Sequence, residues 1–171
     1  TPTKGLDVLI RAAALIEARM PETEVPLDIE IHGVDEEGFT RLWPKLEIPD
    51  CVRFRGRYRP QDCVDIMRGY GWIVIPSVWW ENSPVVIQEA RAAVTPMIAS
   101  DIGGMAEKTA GWGIPFRTAD PASLAQAILS VHARPDVLRD HKARITPPLD
   151  LAGFHAEWVE ALSLIHISEP T

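Results

Sequence analysis

Residues 71–107 constrain the fold more than any other stretch of the chain. The apolar, β-branched run 72–75 lies between a glycine and a proline, which is typical of a short strand buried on both faces. A second apolar strand is predicted at 96–99, and the spacing of apolar residues predicts a helix at 85–94 between the two. Strand, helix and strand in this order indicate a parallel crossover unit in an α/β protein, whose ligands bind at the carboxyl ends of the strands.

The helix of this unit begins with signals that leave its amino end open. Ser83 offers a side-chain oxygen as an N-cap, and Pro84 suits the first helical position because its missing N–H would have no partner there. The N–H groups of Val85 and Val86 then form the positive end of the helix dipole, where a diphosphate can bind. Every helix has such an end, so a helix start that only faces water is the commoner interpretation of this feature alone.

Acidic residues and glycines follow the two strands. Glu81 lies in the loop after the first strand, and Glu89 lies one turn past Val85 on the same helix face. A carboxylate in this position accepts hydrogen bonds from two neighbouring hydroxyls, as a ribose or a sugar offers, although two acids eight residues apart are a weak signal. Gly103 and Gly104 allow a close approach of the backbone to a ligand, and an ordinary turn accounts for them equally well.

The rest of the chain supplies further helices and strands around this unit. Helices are predicted at 3–19 (with Thr3 as its cap), 60–68, 121–132, 135–144 and 151–164, strands at 27–32, 52–56 and 113–116, and a polar helix or irregular segment at 35–46. A parallel unit needs a strand before its first helix, whereas this chain begins almost at that helix. We therefore expect that the first strand is missing.

Composition limits the classes of function. The 171 residues suffice for one domain with a sizeable core, and 46% apolar with 24% charged residues is usual for a globular protein. A net charge of −7 argues against nucleic acid as a partner. Cys51 and Cys63 predict reduced thiols and a cytoplasmic location, and neither they nor the histidines have metal-ligand spacing. No apolar run reaches the length of a membrane span.

The last eight residues, 164–171 (LIHISEPT), do not continue the predicted final helix. They resemble translated sequencing-adapter DNA, so we expect a native domain at 1–163 followed by a non-native tail.

The order of these signals is more specific than any one of them. Lys4 and Gly5 open KGLDVLIRAA, and VRFRG, IPS, Glu81, SPVVIQEA, Pro96, ASDIGG and Glu107 follow. This series resembles the C-terminal, donor-nucleotide domain of retaining glycosyltransferases of family 4, which have the GT-B fold. The resemblance covers about 4–132 and implies a Rossmann-like three-layer sandwich with a parallel sheet.

The resemblance also implies roles for single residues. Lys4, which by itself would be interpreted as a solvated surface residue, matches the lysine that contacts the donor diphosphate, and Glu81 matches the acid near the donor sugar. The resemblance implies that these two residues are the catalytic ones. Glu89 matches the acid that binds the ribose hydroxyls. The donor-binding positions implied in this way are Asn82, Ser83, Val85, Val86, Glu89, Gly33, Gly56, Arg57, Gly103 and Gly104. The donor would be a UDP- or GDP-sugar, with no cofactor and no metal.

The chain also departs from the family pattern. Val94 stands where the family usually has glycine, and the strand and the glycine-arginine pair that precede Lys4 are absent. The missing strand would lie between 27–32 and 72–75. The N-terminal domain, which carries the acceptor site and would mediate any peripheral membrane association, is also absent. We therefore expect a fragment with half of an active site and no turnover of its own.

Two other interpretations stay open. A non-catalytic α/β binding or regulatory module would leave Glu81 and Glu89 merely solvated. Another GT-B enzyme, such as a sugar-nucleotide epimerase, would use the same nucleotide site for different chemistry.

Overall fold

A computed structural model describes residues 2–19 and 25–148 of the chain. The helices are α1 (Leu6–Glu17), α2 (Glu36–Leu42), α3 (Cys63–Arg68), α4 (Val85–Ala93), α5 (Gly103–Thr109), α6 (Pro121–Val131) and α7 (Pro135–Ala143), with 3-10 turns at Pro2–Lys4 and Pro60–Asp62. The strands are β1 (Ile29–His32), β2 (Val52–Gly56), β3 (Ile73–Ile75), β4 (Met97–Ser100) and β5 (Ile114–Phe116). The predicted α/β class and most predicted elements are confirmed.

The strands form parallel ladders in two hydrogen-bonded groups. β1 pairs with β2, and β4 lies between β3 and β5. Residues of β1 and of β3 line the same large cavity, so these two strands face each other across the break between the groups. The break is therefore at the place where the sequence predicts a further strand.

The described residues form three layers, as the packing of side chains on the two faces of β4 shows. Its Ile98 packs in an apolar cluster with α1 and α6, whereas its Met97 and Ala99 pack in a second cluster with α3, α4 and α5. Because successive side chains of a strand point to opposite faces, the two clusters lie on opposite sides of the strands. The predicted three-layer arrangement is confirmed.

The first helix begins differently from the prediction. Thr3 lies in a 3-10 turn, and the N-cap of α1 is Gly5, which has a φ of 67° and provides no side-chain cap. A Cβ on Gly5 would lie 1.8 Å from the carbonyl oxygen of Pro76. The chain therefore needs glycine here to turn tightly against the end of β3, and the predicted Thr3 cap is wrong.

The ends of α4 also differ from the prediction. Pro84 occupies the N-cap position and no side chain caps this helix, so Ser83 is not the cap. At the other end Val94 adopts the left-handed conformation, with φ 53° and ψ 42°. This conformation suits the glycine of the family pattern and is strained for a β-branched residue.

Residues 72–75 are less buried than the sequence predicts, because a strand covered on both faces was expected there. All three residues of β3 are half-buried, whereas all four residues of β4 are buried. The reason is that β3 has a strand partner on one side and borders the large cavity on the other.

Two predicted features, the helix at 151–164 and the tail at 164–171, lie outside the described residues. The division into a domain at 1–163 and a tail stays a prediction. Among the helices at 2–19 and 25–148, none has the length and apolar character needed to cross a membrane.

Candidate functional site

An ion pair joins the two residues predicted to be catalytic. Lys4 lies at the end of the turn before α1, and its Nζ is 2.6 Å from Oε1 of Glu81 in the loop after β3. The carbonyl oxygen of Thr3 accepts hydrogen bonds from the N–H of Val78 and from Oγ of Ser77, which holds this turn against that loop. Lys4 is 62% exposed and Glu81 27% exposed, so the ammonium group remains open to a ligand.

The twin glycines place α5 against the same loop. The N–H of Gly104 donates to the carbonyl oxygen of Glu81 at 2.7 Å, and a Cβ on Gly104 would lie 2.2 Å from the carbonyl oxygen of Asn82. Gly103 has a φ of 52°, and both glycines are buried. The close approach that these glycines permit is thus made at least partly to the chain's own backbone, and their role in ligand binding stays a prediction.

The amino end of α4 follows this loop directly. No side chain caps the helix, and Val85 is 71% exposed. The first N–H groups of a helix have no partner inside it, and they carry the positive end of the helix dipole. An anion would therefore meet these groups without displacing a side-chain cap.

Glu89 lies in a shallow cavity of about 480 Å³. The other residues that line it are Gly33, Arg57, Tyr58 and Pro60. Gly33 follows β1 with a φ of 96°, and its N–H donates to the carbonyl oxygen of Gly56 at 2.8 Å. Predicted site residues from three separate segments therefore meet at the carboxyl ends of β1 and β2, one helical turn below the start of α4.

Sequence reasoning missed Tyr58. Its ring lies edge-on to His32, with 6.1 Å between centroids, and it lines the cavity beside Glu89. The available signal was its position, two residues after the end of β2. Burial raises the pKa of Cys63 next to it, and the Glu89 carboxylate adds to that rise, so this thiol stays protonated at neutral pH.

A second polar cluster, also missed, lies beside β1. Glu30 accepts hydrogen bonds from Arg55 and from the hydroxyl of Tyr70, and these lower its pKa to about 2. Burial and the Glu30 carboxylate raise the pKa of Tyr70 to about 12. His32 Nε2 lies 2.7 Å from the same hydroxyl, and burial lowers its pKa. Tyr70 thereby connects β1 with the segment that leads into β3.

The residues around the Lys4–Glu81 pair and those around Glu89 border adjoining cavities. Gly33 and Tyr58 line both the shallow cavity and a larger one of about 940 Å³, which Lys4 and Val86 also line. Asn82 and Ser83 are exposed in the loop between Glu81 and α4. Within 2–19 and 25–148 no three His, Cys, Asp or Glu side chains are grouped so that they could hold a metal ion.

Residues 1–134 match the sequence profile of the family described as Glycosyl transferases group 1. Similar proteins include the D-inositol 3-phosphate glycosyltransferases of Streptomyces scabiei, 31% identical over 80% of this chain, and of Streptomyces coelicolor, 30% identical over 91%. The chain spans only 32% and 34% of the length of these relatives.

Solved structures with the same fold include Anabaena HepE in complex with UDP, with a TM-score of 0.72, and with UDP-glucose, with a TM-score of 0.69; each is 20% identical. Sucrose-phosphate synthase from Thermosynechococcus elongatus has a TM-score of 0.66 at 24% identity. The likeness covers 96% of this chain in each case, but 46% of HepE and 42% of the synthase. These structures identify the fold as that of GT-B glycosyltransferases.

Proposed function

Because the chain belongs to the glycosyl transferases group 1 family, we propose that it is the donor-binding half of a retaining glycosyltransferase of family 4. In the intact enzyme this half binds a nucleotide-diphosphate sugar. The glycosyl group passes to a hydroxyl of an acceptor that the N-terminal domain holds, and the anomeric configuration is kept.

Each cluster of the site has one task in this proposal. The Glu89 carboxylate accepts hydrogen bonds from the ribose hydroxyls, with Gly33 and Arg57 beside the nucleoside. Lys4 and the amino end of α4 bind the diphosphate, and Glu81 lies next to the donor sugar. Electrostatic stabilisation of the departing diphosphate supplies the catalytic effect, which such preorganised positive groups provide in many enzymes.

The position of Glu89 carries the proposal. Its carboxylate lies in a cavity with Gly33 and Arg57, at the carboxyl ends of the strands and one turn below the start of α4. A carboxylate on the outer face of α4 would point away from this cavity and could not accept hydrogen bonds from a diol bound there.

Titration with UDP and with GDP by isothermal calorimetry tests this role. We expect Glu89→Gln to weaken nucleotide binding by about 10- to 150-fold, since a hydrogen bond to a charged group contributes about 1.5–3 kcal/mol. The matched control is Glu47→Gln, which makes the same change of charge at an exposed position before β2, at the opposite end of the strands. UDP is the first probe because HepE, which has a similar fold, has crystal structures in complex with UDP and with UDP-glucose.

Two results would contradict the proposal. One is that neither UDP nor GDP binds at millimolar concentration, which would favour a non-catalytic α/β module. The other is equal binding to Glu89→Gln and Glu47→Gln, which would move the nucleotide away from the shallow cavity.

Because the chain spans only about a third of the length of its relatives, we propose that the acceptor binds to other parts of the intact enzyme. We infer that residues 1–171 alone do not turn over, and steady formation of product from a sugar nucleotide and an acceptor would contradict this. An inositol phosphate is a suitable first acceptor for the intact enzyme, because the relatives named above carry that substrate in their names. The cytoplasmic location in this proposal is supported by two free cysteines.

A sugar-nucleotide epimerase would use the same half of the fold to bind its nucleotide sugar. The two enzymes differ in what they release from a UDP-sugar. A transferase yields UDP and a glycosylated acceptor, whereas an epimerase acts without an acceptor.

A further inference from the structure

The shallow cavity that holds Glu89 has an aromatic side chain in its wall. Tyr58 lines this cavity together with Gly33 and Arg57, and Tyr58 is 42% exposed. Gly33 follows β1 and Arg57 follows β2, so the cavity lies beyond the carboxyl ends of these two strands. An occupant of the break between β1 and β3 would lie beside the strands, whereas a ligand of the shallow cavity lies beyond their ends.

The ring of Tyr58 is held at its rim. The Sγ of Cys63, which is buried, donates a weak hydrogen bond to the Tyr58 hydroxyl oxygen at 3.9 Å. The Cε1 atom of Tyr58 lies over Gly33, because a Cβ added to that glycine would be 3.9 Å from it. The ring plane makes an angle of 76° with the ring plane of His32. The hydroxyl and Cε1 are both rim atoms, so these contacts fix the ring and leave part of a ring face open to a ligand.

The surroundings of this ring suit a nucleobase. Aromatic side chains stack on any base, because every base has a π-face. In the proposed function the Glu89 carboxylate, in the same cavity, accepts hydrogen bonds from the ribose hydroxyls. The base is bonded directly to the ribose, so a ribose at Glu89 brings the base within reach of the other walls of the cavity. Burial raises the pKa of the Tyr58 hydroxyl, and Cys63 and the Glu89 carboxylate add to that rise, so the ring is uncharged at neutral pH.

We propose that Tyr58 is the stacking platform for the base of the donor nucleotide. The ring face binds the base, while Cys63 and Gly33 hold the ring at its rim. The inference rests on the proposed function, because it needs the ribose of the donor at Glu89. Stacking acts on uracil and on guanine alike, so Tyr58 adds affinity for the nucleotide without choosing between these bases.

Two nucleotides that differ in the aromaticity of the base test the platform on the full chain. Dihydro-UDP keeps the ribose, the diphosphate and the carbonyl groups of uracil, but its saturated C–C bond puckers the ring and removes the π-face. We expect UDP to bind about 5- to 50-fold more tightly than dihydro-UDP by isothermal calorimetry, since stacking on one aromatic side chain contributes an effect of this size.

Variants at position 58 assign this preference to the ring. Tyr58→Phe keeps the ring and should keep the preference for UDP, whereas Tyr58→Leu keeps only apolar volume and should lose it. Glu89→Gln should weaken the binding of both nucleotides by a similar factor and leave the preference in place. Because Tyr58 is 42% exposed, we expect both variants at this position to fold.

Fluorine NMR of the chain labelled with fluorotyrosine locates the base without a change of fold. The chain has two tyrosines, Tyr58 and Tyr70, and Tyr58→Phe assigns the two signals. UDP should shift the Tyr58 signal more than dihydro-UDP does, because only an aromatic base adds a ring current. A shift confined to the Tyr70 signal would overturn the proposal.

The outcomes separate this inference from the proposed function. If Glu89→Gln weakens UDP binding but the unmodified chain binds UDP and dihydro-UDP equally, the platform is overturned and the proposed function stands. An equal preference for UDP in Tyr58→Leu and Tyr58→Phe overturns the platform as well. If neither nucleotide binds at millimolar concentration, the proposed function fails and the platform fails with it.

Discussion

Replacement of Gly104 by alanine tests how the site is assembled. A Cβ at this position would lie 2.2 Å from the carbonyl oxygen of Asn82 and 2.7 Å from that of Glu81. Both atoms belong to the backbone, so no side-chain rotation relieves the contact. Separation to an ordinary distance requires a shift of about 1 Å, which lengthens the 2.7 Å hydrogen bond from the Gly104 N–H to Glu81.

The cost follows from these two effects. Overpacking of a well-packed site costs roughly 1–3 kcal/mol, and loss of one hydrogen bond costs roughly 0.5–1.5 kcal/mol. We therefore expect Gly104→Ala to lower the free energy of unfolding by about 2–4 kcal/mol. For a chain of this size that corresponds to a fall in the midpoint of thermal unfolding of roughly 6–12 °C.

Circular dichroism during heating and during urea unfolding measures this change. The matched control is Gly71→Ala, whose Cβ would meet only Cδ2 of Leu138, at an ordinary 3.5 Å. Neither glycine has a positive φ, so the two variants differ in contacts and not in backbone strain. Equal stability of the two variants would refute the argument that α5 is held against the Glu81 loop by this close backbone contact.

Two further predictions concern stability. The variant Val94→Gly should have a free energy of unfolding about 0.5–1 kcal/mol higher than that of Val94→Ala. The reason is that residue 94 is left-handed, and glycine avoids the strain of that conformation at some cost in unfolded-state entropy. Urea unfolding in which Val94→Ala is the more stable variant would contradict this. Since Arg55 and Tyr70 lower the pKa of Glu30 to about 2, its stabilising effect should be complete above pH 4.5 and lost as pH falls toward 2. In Glu30→Gln the urea midpoint should therefore depend less on pH between pH 5 and 3 than in the unmodified chain. An equal pH dependence in both would contradict the stabilising role of the Glu30, Arg55 and Tyr70 cluster.

Much of the fold could be predicted because its signals are local. Prolines in the sequence predict that helices begin at Pro121 and Pro135, and both helices begin there in the structure. The strand 52–56 follows from the alternation of apolar and charged residues, and the crossover unit at 71–107 follows from short apolar runs between turn residues. Each of these signals acts over a few residues, so distant parts of the chain do not override them.

The misassigned cap of α1 has a non-local cause. The prediction chose Thr3, whereas the structure uses Gly5, because the carbonyl of Pro76 leaves no room for a side chain there. The half-burial of β3 and the network around Tyr70 likewise depend on segments about 40 residues away in the chain. No local pattern could report them.

The sequence by itself placed the candidate residues on their elements: an acid one turn into a helix, a lysine before another helix, and a pair of glycines after a strand. Only the tertiary structure brought Lys4 within 2.6 Å of Glu81, and Glu89 into one cavity with Gly33 and Arg57. The physical reason is that periodicity and turn chemistry act between neighbours in the chain, whereas the spacing between strand ends is set by the packing of the layers.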